Sequence, residues 1–118
     1  MGARRAARRV RIPPALAAKA TPAILDLLGE PPGNVLELGF AGIHATPLRL
    51  AGFEVVVVEP DAVHRERARE RAGAVLDAPP AGSFDVVVAP EDADLSAVAA
   101  RKAILVGHDG SAWITSLP

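Results

Sequence analysis

The stretch VLELGFAGIHATPLRLAGFEVVVVEPD, residues 35–61, decides the reading of this chain. An apolar run, NVLEL (34–38), leads into a turn that holds Gly39 and Gly42. TPLRLAG (46–52) follows as a short helix closing on Gly52. Either Thr46 caps it and Pro47 is its first residue, where a missing N–H costs nothing, or Pro47 kinks it. EVVVVE (54–59) is a second strand, apolar on both faces, as in a parallel sheet covered on both sides. Gly39 permits a positive φ or a close backbone approach at the turn. Glu59 ends the second strand about 20 residues after the turn, the separation expected of an acid that binds a ribose diol. A carboxylate can accept both hydroxyl protons of such a diol at once.

Upstream, PPALAAKATPAILDLLGE (13–30) reads as a helix broken by Pro22, with Thr21 capping the second piece and Gly29 ending it. Downstream, DAVHRERARERAG (61–73) is a solvated helix that opens on Asp61, and Glu66 with Arg69 supports it at helical spacing. AVL (74–76) is a short third strand before Asp77, and FDVVVA (84–89) is a fourth. PEDADLSAVAARKA (90–103) starts as an acidic loop and becomes a helix, and ILVG (104–107) is a fifth strand. After the Asp109-Gly110 turn signal, AWITS (112–116) returns antiparallel beside the fifth strand. This alternation predicts a Rossmann-like doubly wound α/β sheet with right-handed crossovers. It has five parallel strands in the order 3-2-1-4-5, plus the antiparallel C-terminal strand. Ligands on such sheets bind outside the carboxyl ends of the strands, where the strand order reverses. With the first strand as that switch point, Glu37 to Gly42, Glu59, Asp77 and Pro90 to Asp92 fall on one rim.

Composition narrows the class. At 118 residues one domain is expected, spanning 13–118 behind a basic arm at 1–12. The absence of cysteine excludes disulfides and thiolate metal sites and fits a cytoplasmic protein. No apolar run approaches the roughly 18 residues of a membrane span. Residues 1–20 hold six basic side chains and no acid, while the other 98 hold seven basic and fourteen acidic ones. The arm could therefore meet nucleic-acid phosphates or an acidic surface, although a solvated tail of the same bias is the simpler expectation. A single Asn, no Gln and many loop prolines suit a heat-adapted, thermophile protein. His44, His64 and His108 show no metal-ligand spacing. Only four aromatic residues, Phe40, Phe53, Phe84 and Trp113, argue against a base-stacking platform. Trp113 is expected in the core or at a homodimer contact, because an uncovered sheet edge invites pairing.

Residues 34 to about 106 resemble the first half of a class I S-adenosylmethionine-dependent methyltransferase. The resemblance is carried by VLELG before a glycine turn, the acid ending the second strand, LDAPPAGSFDVVVA and the apolar fifth strand. It implies binding of S-adenosylmethionine or S-adenosylhomocysteine and methyl transfer to an unknown acceptor. It implies a cofactor site at Glu37, Gly39, Phe40, Ala41 and Gly42 of the turn, Glu59 and Pro60 after the second strand, and Asp77 and Ala78 after the third. In that family the first acid after the second strand bonds the ribose hydroxyls, and the acid after the third bonds the adenine amine. Glu59 alone would suit a nicotinamide dinucleotide equally, and Asp77 tilts the choice to S-adenosylmethionine. The chain departs from the family at the turn, where E-L-G-F-A-G-I replaces E/D-x-G-x-G-x-G and Phe40 and Ile43 could crowd the pocket. No catalytic residue and no metal site is nominated. The alternative is a non-catalytic Rossmann-like binding or assembly domain that has lost the cofactor site.

Overall fold

Six strands form one mixed sheet in the order β3-β2-β1-β4-β5-β6, and the computed structural model describes residues 14–72 and 75–117 of the chain. The basic arm at 1–12 lies outside the described residues. The strands are β1 (Asn34–Leu38), β2 (Glu54–Val58), β3 (Val75–Leu76), β4 (Phe84–Pro90), β5 (Ala100–Val106) and β6 (Ala112–Ser116). Neighbours β1–β2, β1–β4, β2–β3 and β4–β5 are parallel, and only β5–β6 is antiparallel. The strand order reverses at β1, as the sequence predicts. The described helices are α1 (Pro14–Lys19), α2 (Thr21–Leu28), α3 (Ala45–Leu50) and α4 (Ala62–Ala72).

Period-two alternation sorts the strand side chains onto two faces. One face carries Val35, Val55, Val57, Val86, Val88 and Ile104, and all four helices pack on it through residues such as Ala17, Ile24, Leu48 and Ala68. The other carries Leu36, Val58, Val87, Ala89 and Ala103, and what covers it is the segment between β4 and β5, through Ala93, Leu95 and Val98. The expected doubly wound arrangement is thus corrected. Among the described residues, helices cover a single face of the sheet.

The cause is the helix expected within 90–103, which does not form. β5 begins at Ala100, paired with Phe84, and so takes the last four residues that the helix would need. The nine residues left must run back alongside a seven-residue strand, about 20 Å at ~3.3 Å per residue. As a helix they would cover only about 13 Å. They run as turns instead. Glu91 N–H bonds Val106 C=O at 2.9 Å, and the Asp94 carboxylate accepts from Ser96 N–H at 3.0 Å. An Asp that captures a backbone N–H two residues on competes with helix in this way.

The helix starts differ in detail. Thr21 is the first residue of α2 rather than its cap, because its hydroxyl is engaged with His44. α3 starts at Ala45, one residue before the expected cap, and Pro47 sits within its first turn. The Thr46 hydroxyl donates to Arg71 C=O at 2.9 Å, at the end of α4. Asp61 does cap α4, accepting from Val63 N–H at 2.9 Å and His64 N–H at 3.3 Å. Those bonds, with His64 first, hold its carboxyl below the ordinary carboxylate range.

On α3, Leu48 is fully buried beneath the helix layer while Leu50, two residues on, is 84% exposed. Leu48→Ala is expected to lower unfolding stability by about 2–5 kcal/mol, and Leu50→Ala by less than about 0.5 kcal/mol. Urea unfolding of both variants checks this.

Candidate functional site

At the carboxyl ends of the strands lies a cleft of about 400 Å³, within the roughly 300–1,000 Å³ range of small-molecule sites. Leu38 and Gly39 from the end of β1, with Val58 and Pro60 from the end of β2, form one wall. Asp77, Ala78 and Pro79, just after β3, form a second. Pro90 and the segment after it, with Asp92, Ala93, Asp94 and Ala97, close the third. The cleft straddles the strand-order reversal and opens toward the sheet face that lacks helices. A second cavity, about 170 Å³, lies at the opposite ends of the strands among Gly33, Asp85 and Arg101, away from this rim.

Gly39 is the pivot of the site. Its φ is +84°, and a Cβ there would sit 3.2 Å from the Pro90 ring. Its backbone conformation favours glycine, and a Cβ would require the Pro90 ring to give by a few tenths of an ångström. After Gly39 the turn drops to the helix face. Phe40 is buried against His44, edge to face with ring centroids 4.9 Å apart. Ile43 packs against the same core. Neither side chain lines the cleft, so the crowding anticipated from Phe40 and Ile43 does not arise. Ala41 takes φ +52° and Gly42 φ +76°. The Ala41 carbonyl is held at 3.0 Å by the Arg71 guanidinium from α4.

Beneath the turn lies a buried polar group. Glu37 is fully buried on the helix face, and its Oε2 accepts the His44 N–H at 3.0 Å. Its Oε1 is buried with no hydrogen-bond partner. Burial raises the Glu37 carboxyl from 4.5 to about 7, with the neighbouring Glu59 charge adding to the rise and Arg71 opposing it. His44, also fully buried, sits 2.8 Å from the Thr21 hydroxyl through Nδ1, and burial lowers it from 6.5 to about 4. This bond ties the turn to α2.

The nine residues expected at a cofactor site therefore divide. Gly39, Pro60, Asp77 and Ala78 come together in the cleft lining. Glu37, Phe40, Ala41 and Gly42 are buried in or under the turn. Glu59 is fully buried and is not among the lining residues; one of its oxygens accepts Asp61 N–H at 3.2 Å. Continued alternation from Val57 places it on the same side of the sheet as Glu37. Asp94 joins the lining from the acidic loop expected after the fourth strand, and Ala97 joins it unannounced, because its segment was expected to be helical. Of the histidines, only His44 approaches the turn, and it is structural there. Among the described residues no group of His, Asp or Glu is placed to hold a metal ion. No described helix is long and apolar enough to cross a membrane.

No protein-family model and no curated protein matches the chain. Solved structures do. A candidate S-adenosyl-L-methionine-dependent methyltransferase from Methanococcus maripaludis is similar at TM-score 0.60 and 13% identity, over 81% of this chain and 57% of that one. Acetophenone reductase from Geotrichum candidum, in complex with NAD, is similar at TM-score 0.58 and 16% identity, over 81% of this chain and 32% of that one. The chain thus spans little more than half of the first protein and a third of the second. At such identities the likeness establishes a Rossmann-like fold.

The buried pair gives a pH signature. Glu37 has a raised carboxyl, so its contribution to stability is complete below about 4.5 and is lost as pH rises toward about 7. His44 has a lowered imidazole, so its contribution is complete above about 6.5 and is lost as pH falls toward about 4. Between these limits the unfolded chain holds one proton on His44 and the folded chain one on Glu37, so the two dependences cancel. Glu37→Gln keeps an acceptor for His44 N–H and removes the loss at high pH. Its stability relative to the parent is expected to grow between pH 5 and pH 8, by a few kcal/mol at ~1.4 kcal/mol per pKa unit. Urea midpoints at both pH values test this, and a constant difference would contradict it.

Proposed function

We propose that the cleft binds S-adenosylmethionine or its demethylated product, and that the chain is a methyltransferase-like protein acting on an acceptor not yet identified. The observation that carries this reading is the charge of the cleft. Among the described residues its lining holds three carboxylates, Asp77, Asp92 and Asp94, and no basic side chain. S-adenosylmethionine carries a positive sulfonium and an ammonium group, which such a lining favours. A dinucleotide brings a diphosphate, which it repels. Diphosphates are also usually held by backbone N–H groups at a helix N-terminus. Here α3 starts at Ala45, outside the lining, on the far side of the turn. The NAD-bound likeness therefore supports the fold and not the ligand.

The donor set suits an adenosyl group in part. Gly39 offers backbone at close range, and Asp77 can accept the protons of an adenine amine. When bound, S-adenosylmethionine would supply an electrophilic methyl group. The protein's task would then be to orient it in line with an incoming nucleophile and to exclude water. The ribose is less well served, since the Glu59 carboxylate is buried with Asp61 N–H and would have to turn out to reach it.

That burial favours a second reading, a non-catalytic binding or assembly domain that retains the fold without the cofactor. Titration calorimetry with S-adenosylmethionine, S-adenosylhomocysteine and NAD separates the two. The first reading expects micromolar affinity for the first two ligands and none for NAD. It also expects Asp77→Asn to weaken binding by about tenfold or more, the scale of a lost hydrogen bond to a charged group. Silence with all three ligands on folded protein supports the second reading and removes the first.

A further inference from the structure

β6 is an edge strand, and nothing along it discourages pairing. Its sequence, AWITS, holds no charge and no proline, the devices by which natural sheets commonly blunt an edge. Trp113 is 41% and Ile114 37% exposed. Trp113 pairs with Leu105 and Thr115 with Ala103 across the β5 ladder, which puts both on the face without helices. Ile114 pairs with Ile104 and so lies on the helix face. Large apolar side chains therefore stand on both faces of an edge to which no described strand is paired.

We infer that β6 is a self-association edge, and that its occupant is β6 of a second copy of this chain, running antiparallel to extend the sheet across a two-fold axis. A two-fold axis normal to the sheet keeps both helix faces on the same side. It joins residues whose numbers have a fixed, even sum. Full overlap of the five residues sets Ile114 opposite its own copy, Trp113 opposite Thr115 and Ala112 opposite Ser116. No pairing in that register opposes like charges or leaves a charged group against an apolar one. Aromatic–β-branched cross-strand pairs such as Trp113–Thr115 are among those that favour pairing. Five residues a side fall well short of the roughly 20–30 a side of a standard stable interface. The dimer is therefore weak and reversible. This inference is independent of what the cleft binds.

Sedimentation velocity of the full chain from about 1 μM to 1 mM is the first test, a range that spans moderate to weak association. The mean mass is expected to rise toward twice the monomer value. Ile114→Lys, which sets two ammonium groups face to face, should stay monomeric throughout, and Val63→Lys, on the exposed surface of α4, should dimerise like the parent. The chain has no cysteine, so single-cysteine cross-linking reads the register even where the lysine variant fails to fold. Ile114→Cys should form a disulfide-linked dimer on mild oxidation, at a rate at least tenfold above Ala112→Cys, whose partner position is Ser116. A parent chain still monomeric at about 1 mM would overturn the inference. Equal cross-linking of the two cysteine variants would overturn the register and the proposed pairing with it.

Discussion

The single hydrogen bond from His44 N–H to the buried Glu37 carboxylate governs the functional end of this molecule. It joins β1 to the far end of the turn that follows, and so commits the turn to the helix face of the sheet. With the turn drawn down there, Phe40 and Ile43 pack into the core and Gly39 is left alone at the rim. Burying an ionised carboxylate with one oxygen unpartnered is unfavourable, and the protein meets this by favouring the neutral acid. Thr21 and Arg71 brace the same turn from α2 and α4, through His44 Nδ1 and the Ala41 carbonyl. The positive φ at Ala41, strained for a residue with a Cβ, persists because these contacts over-determine it.

The second constraint is length. Nine residues between β4 and β5 are too few to form a helix that spans the return, so they run as turns across the open face. The same economy shapes the cleft, because the segment that replaces the helix brings Asp92, Asp94 and Ala97 to its wall. A loop covering made of Ala93, Leu95 and Val98 is thinner than a helix layer, and the cleft opens on that side. The sheet thus presents a deep, packed helix face and a shallow acidic one.

Much of this was legible in the sequence. The β-branched run of EVVVVE, the glycines at 39 and 52, the capping Asp61 and the Asp109-Gly110 turn each specify local structure, and strand order and the antiparallel β6 follow from them. The missing helix was not legible, because Leu95 and Val98 have helical spacing and only the Phe84–Ala100 register shows that β5 claims the residues beyond. Glu59 was misleading for a related reason. Spacing along the chain places an acid at the end of β2, but whether its carboxylate turns to the cleft or beneath the sheet depends on the alternation at that last residue. Asp77 and Pro60 line the cleft from just past the ends of β3 and β2.

The rim above Gly39 opens on the side away from the helices, and we propose that an adenosyl ligand sits there. Mapping backbone amide shifts by NMR during titration with S-adenosylmethionine tests this most directly. The expected perturbations run through Gly39, Asp77, Ala78 and residues 91–97, while His44, Ala45 and Thr46 on the helix side stay unmoved. Perturbations confined to 44–46, or none at a ligand concentration far above micromolar, would contradict it.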